Sequence, residues 1–214
     1  MSVIRPFRAV RPPVERVRDV SAVPYDVVNS AEAAELARGN PWSFLHVSRP
    51  EIDLPDGTDL YSDAVYAKAA ENFRKLIDEC PLETDAEPGL YVYTLKMGDH
   101  EQTGVVACCS IDEYDNDLIK KHERTRRDKE DDRTRHLLTI GAQTGLVFLT
   151  YRGVAAIDHA VAEVCRSAPL YDFVAPDGIA HTMWRVDDAS ELVELFGGVP
   201  ALYVADGHHR SASA

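Results

Sequence analysis

No apolar run in this chain approaches the roughly 20 residues that a membrane span requires. The opening MSVIRPFRAVRPP carries arginines without the apolar stretch of a secretion signal, so a cytoplasmic location with no membrane partner is expected. The four cysteines, Cys80, Cys108, Cys109 and Cys165, include no C-x-x-C pair, and they read as buried thiols rather than zinc ligands or a disulfide framework. Basic residues are outnumbered: 23 Lys and Arg face 36 Asp and Glu, a formal net charge of -13. Neutralising phosphates dominates nucleic-acid affinity, so no nucleic-acid partner is expected and any anion site must be local. Repeats, low-complexity tracts and Gly/Ser linkers are also missing.

What is present is a composition suited to a sizeable core, with 45% hydrophobic residues in 214. Pro12, Pro13 and Pro24 forbid a long helix in Met1 to Val28, which reads as extended chain and turns. NSAEAAELARGNP follows, with Asn29 as N-cap, Glu32 as its capping-box partner, and Gly39 and Pro41 as stop signals. A strand or extended segment is expected around Phe44 to Val47. From Tyr61 to Cys80, Val65, Ala69, Phe73, Leu76 and Ile77 fall at helical spacing.

Leu90 to Met97 and Gly104 to Ile111 read as two β-runs of a hairpin joined by GDHEQT. Further on, GLVFLTYR reads as a strand, AAIDHAVAEVCRSA as a helix and PLYDFVAPDGIAHTMWRV as a hairpin turning at Pro176 to Gly178. DASELVELFGG reads as a capped helix and ALYVAD as a last strand. Strands alternating with helices and interrupted by hairpins indicate a mixed α/β or α+β fold.

Two stretches carry chemistry. KKHERTRRDKEDDRTR holds eight of the 23 basic residues: Lys120, Lys121, Arg124, Arg126, Arg127, Lys129, Arg133 and Arg135. By charge pattern it is a solvated helix laced with ion pairs, Arg127 facing Glu130 and Asp131. The alternative reading notes His122 and Glu123 near the start of the block and Arg133, Arg135 and His136 at its end, which supply a general base and phosphate donors.

The second stretch is ALYVADGHHRSASA. Gly207 allows a sharp turn after a strand, and a helix start favours an anion. Arg210 offers a bidentate grip, His208 and His209 offer donors, and Asp206 offers a metal or proton site. The plainer reading is an ordinary strand-to-helix turn, since neither G-x-G-x-x-G nor G-K-[ST] is present. Asp-x-His-His is also not the H-E-x-x-H pattern, so no zinc site is expected. His46, His100, His159 and His181 read as surface or hydrogen-bonded core residues.

In this order, IRPFRAVRP, PYDVV, NPWSFLHVSRPEIDLP, YAKAAENF, IKKHERTRRDKEDDRTRH and ALYVADGHHRSASA resemble the bacterial and archaeal family called domain of unknown function 1015, across nearly the whole chain. DGHHR also resembles the signature of the archaeal ADP-dependent free-serine kinase, of the ParB/sulfiredoxin-like superfamily. That likeness implies a ParB/sulfiredoxin-like core with a mixed sheet in 101–214, and an N-terminal α/β elaboration in 1–100. It also implies a glycine-led turn, Gly207 to Arg210, that cradles nucleotide phosphates, and a glutamate base after a histidine, matched here by His122-Glu123. The pattern departs at Ser211, where the family has an aromatic, and near Arg127, where it has a proline. Family members run well beyond this motif, so the chain is expected to be the N-terminal portion of a longer protein.

The resulting expectation is a kinase of a small hydroxy amino acid such as serine, using ADP or ATP with magnesium. Gly207, His208, His209 and Arg210 would hold phosphate. Glu123 would take the hydroxyl proton, with Asp206 assisting. His122, Arg133, Arg135 and His136 would bind substrate or stabilise charge. The alternatives are a non-catalytic nucleotide- or metabolite-binding regulator and an inactive truncated fragment.

Overall fold

The structure, a computed structural model, describes residues 2–214; Met1, the first residue of the expected extended opening, lies outside them. From the N-terminus, β1 (Ile4–Arg5) and β2 (Val10–Arg11) lead into a 3-10 turn and α1 (Val17–Val20). Next come α2 (Ser30–Ala37), α3 (Leu45–Ser48), a second 3-10 turn at Pro50–Asp53 and α4 (Asp63–Glu79). They are followed by β3 (Glu83–Thr84), β4 (Leu90–Met97), β5 (His100–Val106), β6 (Cys108–Cys109), α5 (Ile111–Asp115), β7 (Ile119–Lys120) and α6 (Arg127–Ile140). The chain continues through β8 (Phe148–Thr150), α7 (Ala155–Val164), β9 (Tyr171–Val174), β10 (Ala180–Val186), α8 (Ser190–Gly197), β11 (Leu202–Asp206) and α9 (His208–Ala212). Among the described residues this is a mixed α/β fold of nine α-helices and four small sheets. No helix among them is long and apolar enough to cross a membrane.

Contacts divide the chain into two compact units. The first comprises the segment up to Val14 with Glu83–Glu123 and Phe148–Asp206; the second comprises Glu15–Leu82, Arg124–Val147 and Gly207–Ala214.

The first unit is built on an antiparallel sheet in the order β5-β4-β10-β9. Its register sets Trp184 against Val92 and Val186 against Leu90, so these four side chains share one face, and all are buried. Trp184 keeps its indole satisfied by donating to the Ser167 carbonyl at 3.0 Å. On the opposite face the N-terminal segment is pinned at Asp85, whose side chain is 3% exposed. Its carboxylate accepts from Arg11 Nε at 2.8 Å, from Arg185 Nε at 3.4 Å and from the Tyr91 hydroxyl. Burial pushes the Asp85 carboxyl up, but these donors and the two guanidinium charges outweigh it and hold it below the usual range. A second sheet, β7-β11-β8, is mixed: β11 runs parallel to β7 and antiparallel to β8. Along β11, Leu202 and Val204 are buried while Tyr203, Ala205 and Asp206 face out.

The second unit is helical. Both halves of the expected capping box form at α2: Asn29 Oδ1 accepts the Glu32 N–H at 3.0 Å, and Glu32 accepts the Asn29 N–H at 2.8 Å. Ala33 and Ala37 of this helix pack with Leu45, while Val47, Val20, Leu76 and Cys80 form a neighbouring cluster with Trp42, Phe44, Phe73 and Leu82 around it.

Three expectations are corrected here. Phe44 to Val47 is not extended. It forms the single helical turn α3, because only a turn sends Leu45 and Val47 into two different clusters, and four residues are too few to show a period. The second hairpin strand begins at His100 rather than Gly104, after a two-residue turn whose first position, Gly98, has φ 60. HEQT reads as a loop by polarity, yet it is the exposed part of an edge strand. Lastly, of the four free cysteines only Cys80 is buried; Cys108 is exposed, and Cys109 and Cys165 are half-buried. Adjacent residues on β6 point to opposite sides, so Cys108 and Cys109 cannot both reach a core.

Candidate anion site

The terminal turn and the charged block meet within the second unit, where α9 packs on α6. Gly207 precedes α9 with φ 91, the left-handed region that side chains rarely adopt, and the first bond of the helix runs from the Ser211 N–H to the Gly207 carbonyl at 2.8 Å. The Arg210 side chain passes between two glycines. A Cβ on Gly145 would lie 2.9 Å from Arg210 Cδ, and one on Gly207 would lie 3.3 Å from Arg210 Cζ and Nε and 3.4 Å from Val147 Cα. This seat leaves the arginine 14% exposed, with its guanidinium donating to the Leu146 carbonyl and 3.5 Å from Asp26 Oδ2. His209 joins the two helices: its Nε2 accepts the N–H of Arg126, the N-cap residue of α6, at 3.1 Å.

Along α6 the basic side chains are individually committed. Arg133 lies over the Tyr25 ring, 4.2 Å from its centroid, and donates through Nε and Nη2 to Asp132 Oδ2 at 2.9 and 2.7 Å. Asp132 is also held by the Tyr66 hydroxyl at 2.7 Å. Tyr25 and Asp26 are consecutive, so one short loop touches both Arg133 and Arg210. Burial pushes the Tyr25 phenol up while both guanidinium charges pull it down and Asp26 and Asp132 push it up, so all four charges act on one ring. The result is a nearly neutral cluster of two arginines and two carboxylates around an aromatic face.

The other candidates lie elsewhere. Arg135 covers the Tyr66 ring at 4.2 Å, donates to the Tyr61 carbonyl at 3.2 Å and pairs with Asp63. His136 is 5% exposed; burial pushes its imidazole below the usual range, and Nε2 donates to the Val47 carbonyl at 2.9 Å. His208 is buried. His122, Glu123 and Asp206 belong to the first unit, Glu123 immediately before Arg124 and Asp206 immediately before Gly207 in the chain, and all three are exposed. The ion-pair reading of the block holds for Arg127 and Asp131 at 3.9 Å. Among the described residues no three His, Cys, Asp or Glu side chains gather as a metal cage.

The family described as Protein of unknown function (DUF1015) matches residues 4–214. The chain belongs to the DUF1015 family. No curated protein and no solved structure matches it.

Within this DUF1015 chain, Tyr25 and Asp26 are the site residues that sequence reasoning left without a role. The signal was available, since PYDVV is one of the segments that carry the family resemblance. What the sequence could not supply was the contact, because residues so far apart in the chain meet only once the second unit folds.

Proposed function

We propose that this DUF1015 member binds the phosphates of ADP or ATP at the Gly207 to Arg210 turn and transfers a phosphoryl group to a small hydroxy amino acid such as serine. The observation that carries the reading is the seat of Arg210. Two glycines at close approach hold a guanidinium against a left-handed turn, next to a loop that also stacks on Arg133. A solvated ion-pair helix needs no such seat, whereas a phosphate clamp needs planar donors held in place before the ligand arrives. The resemblance of DGHHR to the free-serine kinase and to the ParB/sulfiredoxin-like core supports the same assignment.

In this reading Arg210 and Arg133 neutralise charge on the phosphates, and the turn supplies backbone donors. The substrate hydroxyl oxygen forms a bond to phosphorus as the bond to the nucleotide oxygen breaks. The hydroxyl proton goes to Glu123, and the nucleotide leaves one phosphate shorter. Glu123 and Asp206 enter by chain order beside Arg124 and Gly207. Asp206 would offer a carboxylate oxygen to a magnesium ion brought in with the nucleotide, and the ion would spread the charge of the transferred group.

The test is formation of phosphoserine from serine with ADP or ATP and magnesium. Product with the parent protein, lost in Glu123→Gln and Arg210→Ala, is the expected result. Nucleotide binding without any acceptor phosphorylation would favour the regulator, whose specific support is that Arg210 already has a partner, Asp26, to exchange on binding.

A further inference from the structure

We propose that Asp26 is a built-in competitor for the phosphate ligand, occupying Arg210 until an anion displaces it, and that the adjacent Tyr25 ties this exchange to Arg133. The proposal rests on the phosphate-binding reading of the same turn and adds its gate.

Three observations carry it. First, the two partners are unequal: Arg210 is 14% exposed and seated between glycines, whereas Asp26 is 43% exposed on a loop. The guanidinium is the fixed member and the carboxylate the movable one. Second, the pair is loose. At 3.5 Å it is an ion pair, longer than the roughly 2.7–2.9 Å of a charge-assisted hydrogen bond, while Asp132 on Arg133 sits at 2.7 Å and is held again by Tyr66. Of the two carboxylates in the cluster, Asp26 is the one that solvent or a ligand oxygen can replace at little cost. Third, a carboxylate and a phosphate present the same oxygen pattern to a guanidinium, so both cannot use one fork at once. Tyr25, one residue earlier, covers Arg133 at 4.2 Å, so the loop that carries Asp26 also carries the ring on the second arginine.

A residue with a purely structural role would weaken binding when replaced. A competitor does the opposite. For a partly exposed pair of this kind the expected gain is about 1.5- to fivefold in affinity.

The experiment titrates ADP with magnesium, and separately inorganic phosphate, into the parent protein and into Asp26→Asn, Asp26→Glu, Arg210→Ala and Asp26→Asn/Arg210→Ala, with thermal melts to verify folding. Asp26→Asn should tighten both ligands about 1.5- to fivefold, Asp26→Glu should bind as the parent does, and the double variant should be as weak as Arg210→Ala. Should Asp26→Asn fail to fold, Asp26→Ser is read by the same criteria. Unchanged or weaker binding in Asp26→Asn, with parent binding still lost in Arg210→Ala, overturns the gate and leaves the phosphate site standing. Absence of binding in both the folded parent and folded Asp26→Asn overturns both.

Discussion

Gly145→Ala adds one methyl group and no charge, and it tests whether the seat of Arg210 matters. The new Cβ would stand 2.9 Å from Arg210 Cδ and 3.4 Å from Cγ. Cδ lies mid-chain, with the guanidinium beyond it bonded to the Leu146 carbonyl and seated against Gly207, so the arginine cannot swing aside freely. Restoring ordinary contact needs a displacement of about 0.5 Å. Overpacking of this kind costs about 1–3 kcal/mol, or is relieved by giving up a charge-assisted bond of similar worth. We expect a loss of about 1–2 kcal/mol, roughly 2–8 °C in Tm for a chain of this size. Affinity for ADP should fall about tenfold, because the guanidinium no longer sits where phosphate is bound. Thermal melts and calorimetric titration read the two effects. Gly153→Ala is the control, since nothing lies within 4 Å of a Cβ there. Gly145→Ala with parental Tm and parental ADP affinity would refute the reasoning.

Other substitutions test the remaining elements. At Gly207, with φ 91, replacement by Ala should cost about 1–2 kcal/mol by denaturant unfolding, with Asn cheaper and Val dearer; equal stability for all three would remove the conformational argument. Asp85→Asn should destabilise the first unit by about 2–4 kcal/mol, because Arg11, Arg185 and the Tyr91 hydroxyl lose a 3% exposed carboxylate. The Asp85 carboxyl is held below its ordinary value in the folded chain, so its stabilisation is fully present above about pH 4 and is lost as pH falls below that. Urea melts from pH 7 to pH 3 should therefore show a steep acid loss in the parent that is shallower in Asp85→Asn; parallel pH profiles would contradict the assignment.

Local signals were legible and distant ones were not. The Asn29-Glu32 capping box is complete within four residues, so its pattern is its structure. In α4 the helical spacing correctly names Val65, Ala69 and Leu76. Tyr66 is buried because it gains a partner, Asp132, from another part of the chain, and Ile77 is left 37% exposed. HEQT hid a strand because residues of an exposed edge strand carry no apolar alternation. At the site, the turn is readable from Gly207, whose positive φ is a local property. Asp26 beside its arginine and Tyr25 on Arg133 are placed by folding alone, and the glycine at 145 gains its meaning only when Arg210 lies against it.

Titrating ADP with magnesium into the parent protein and into Arg210→Ala tests the central claim most directly. The account predicts saturable binding to the parent that weakens at least tenfold in the folded variant. Equal affinity in the two proteins, or no binding to the folded parent, would contradict it.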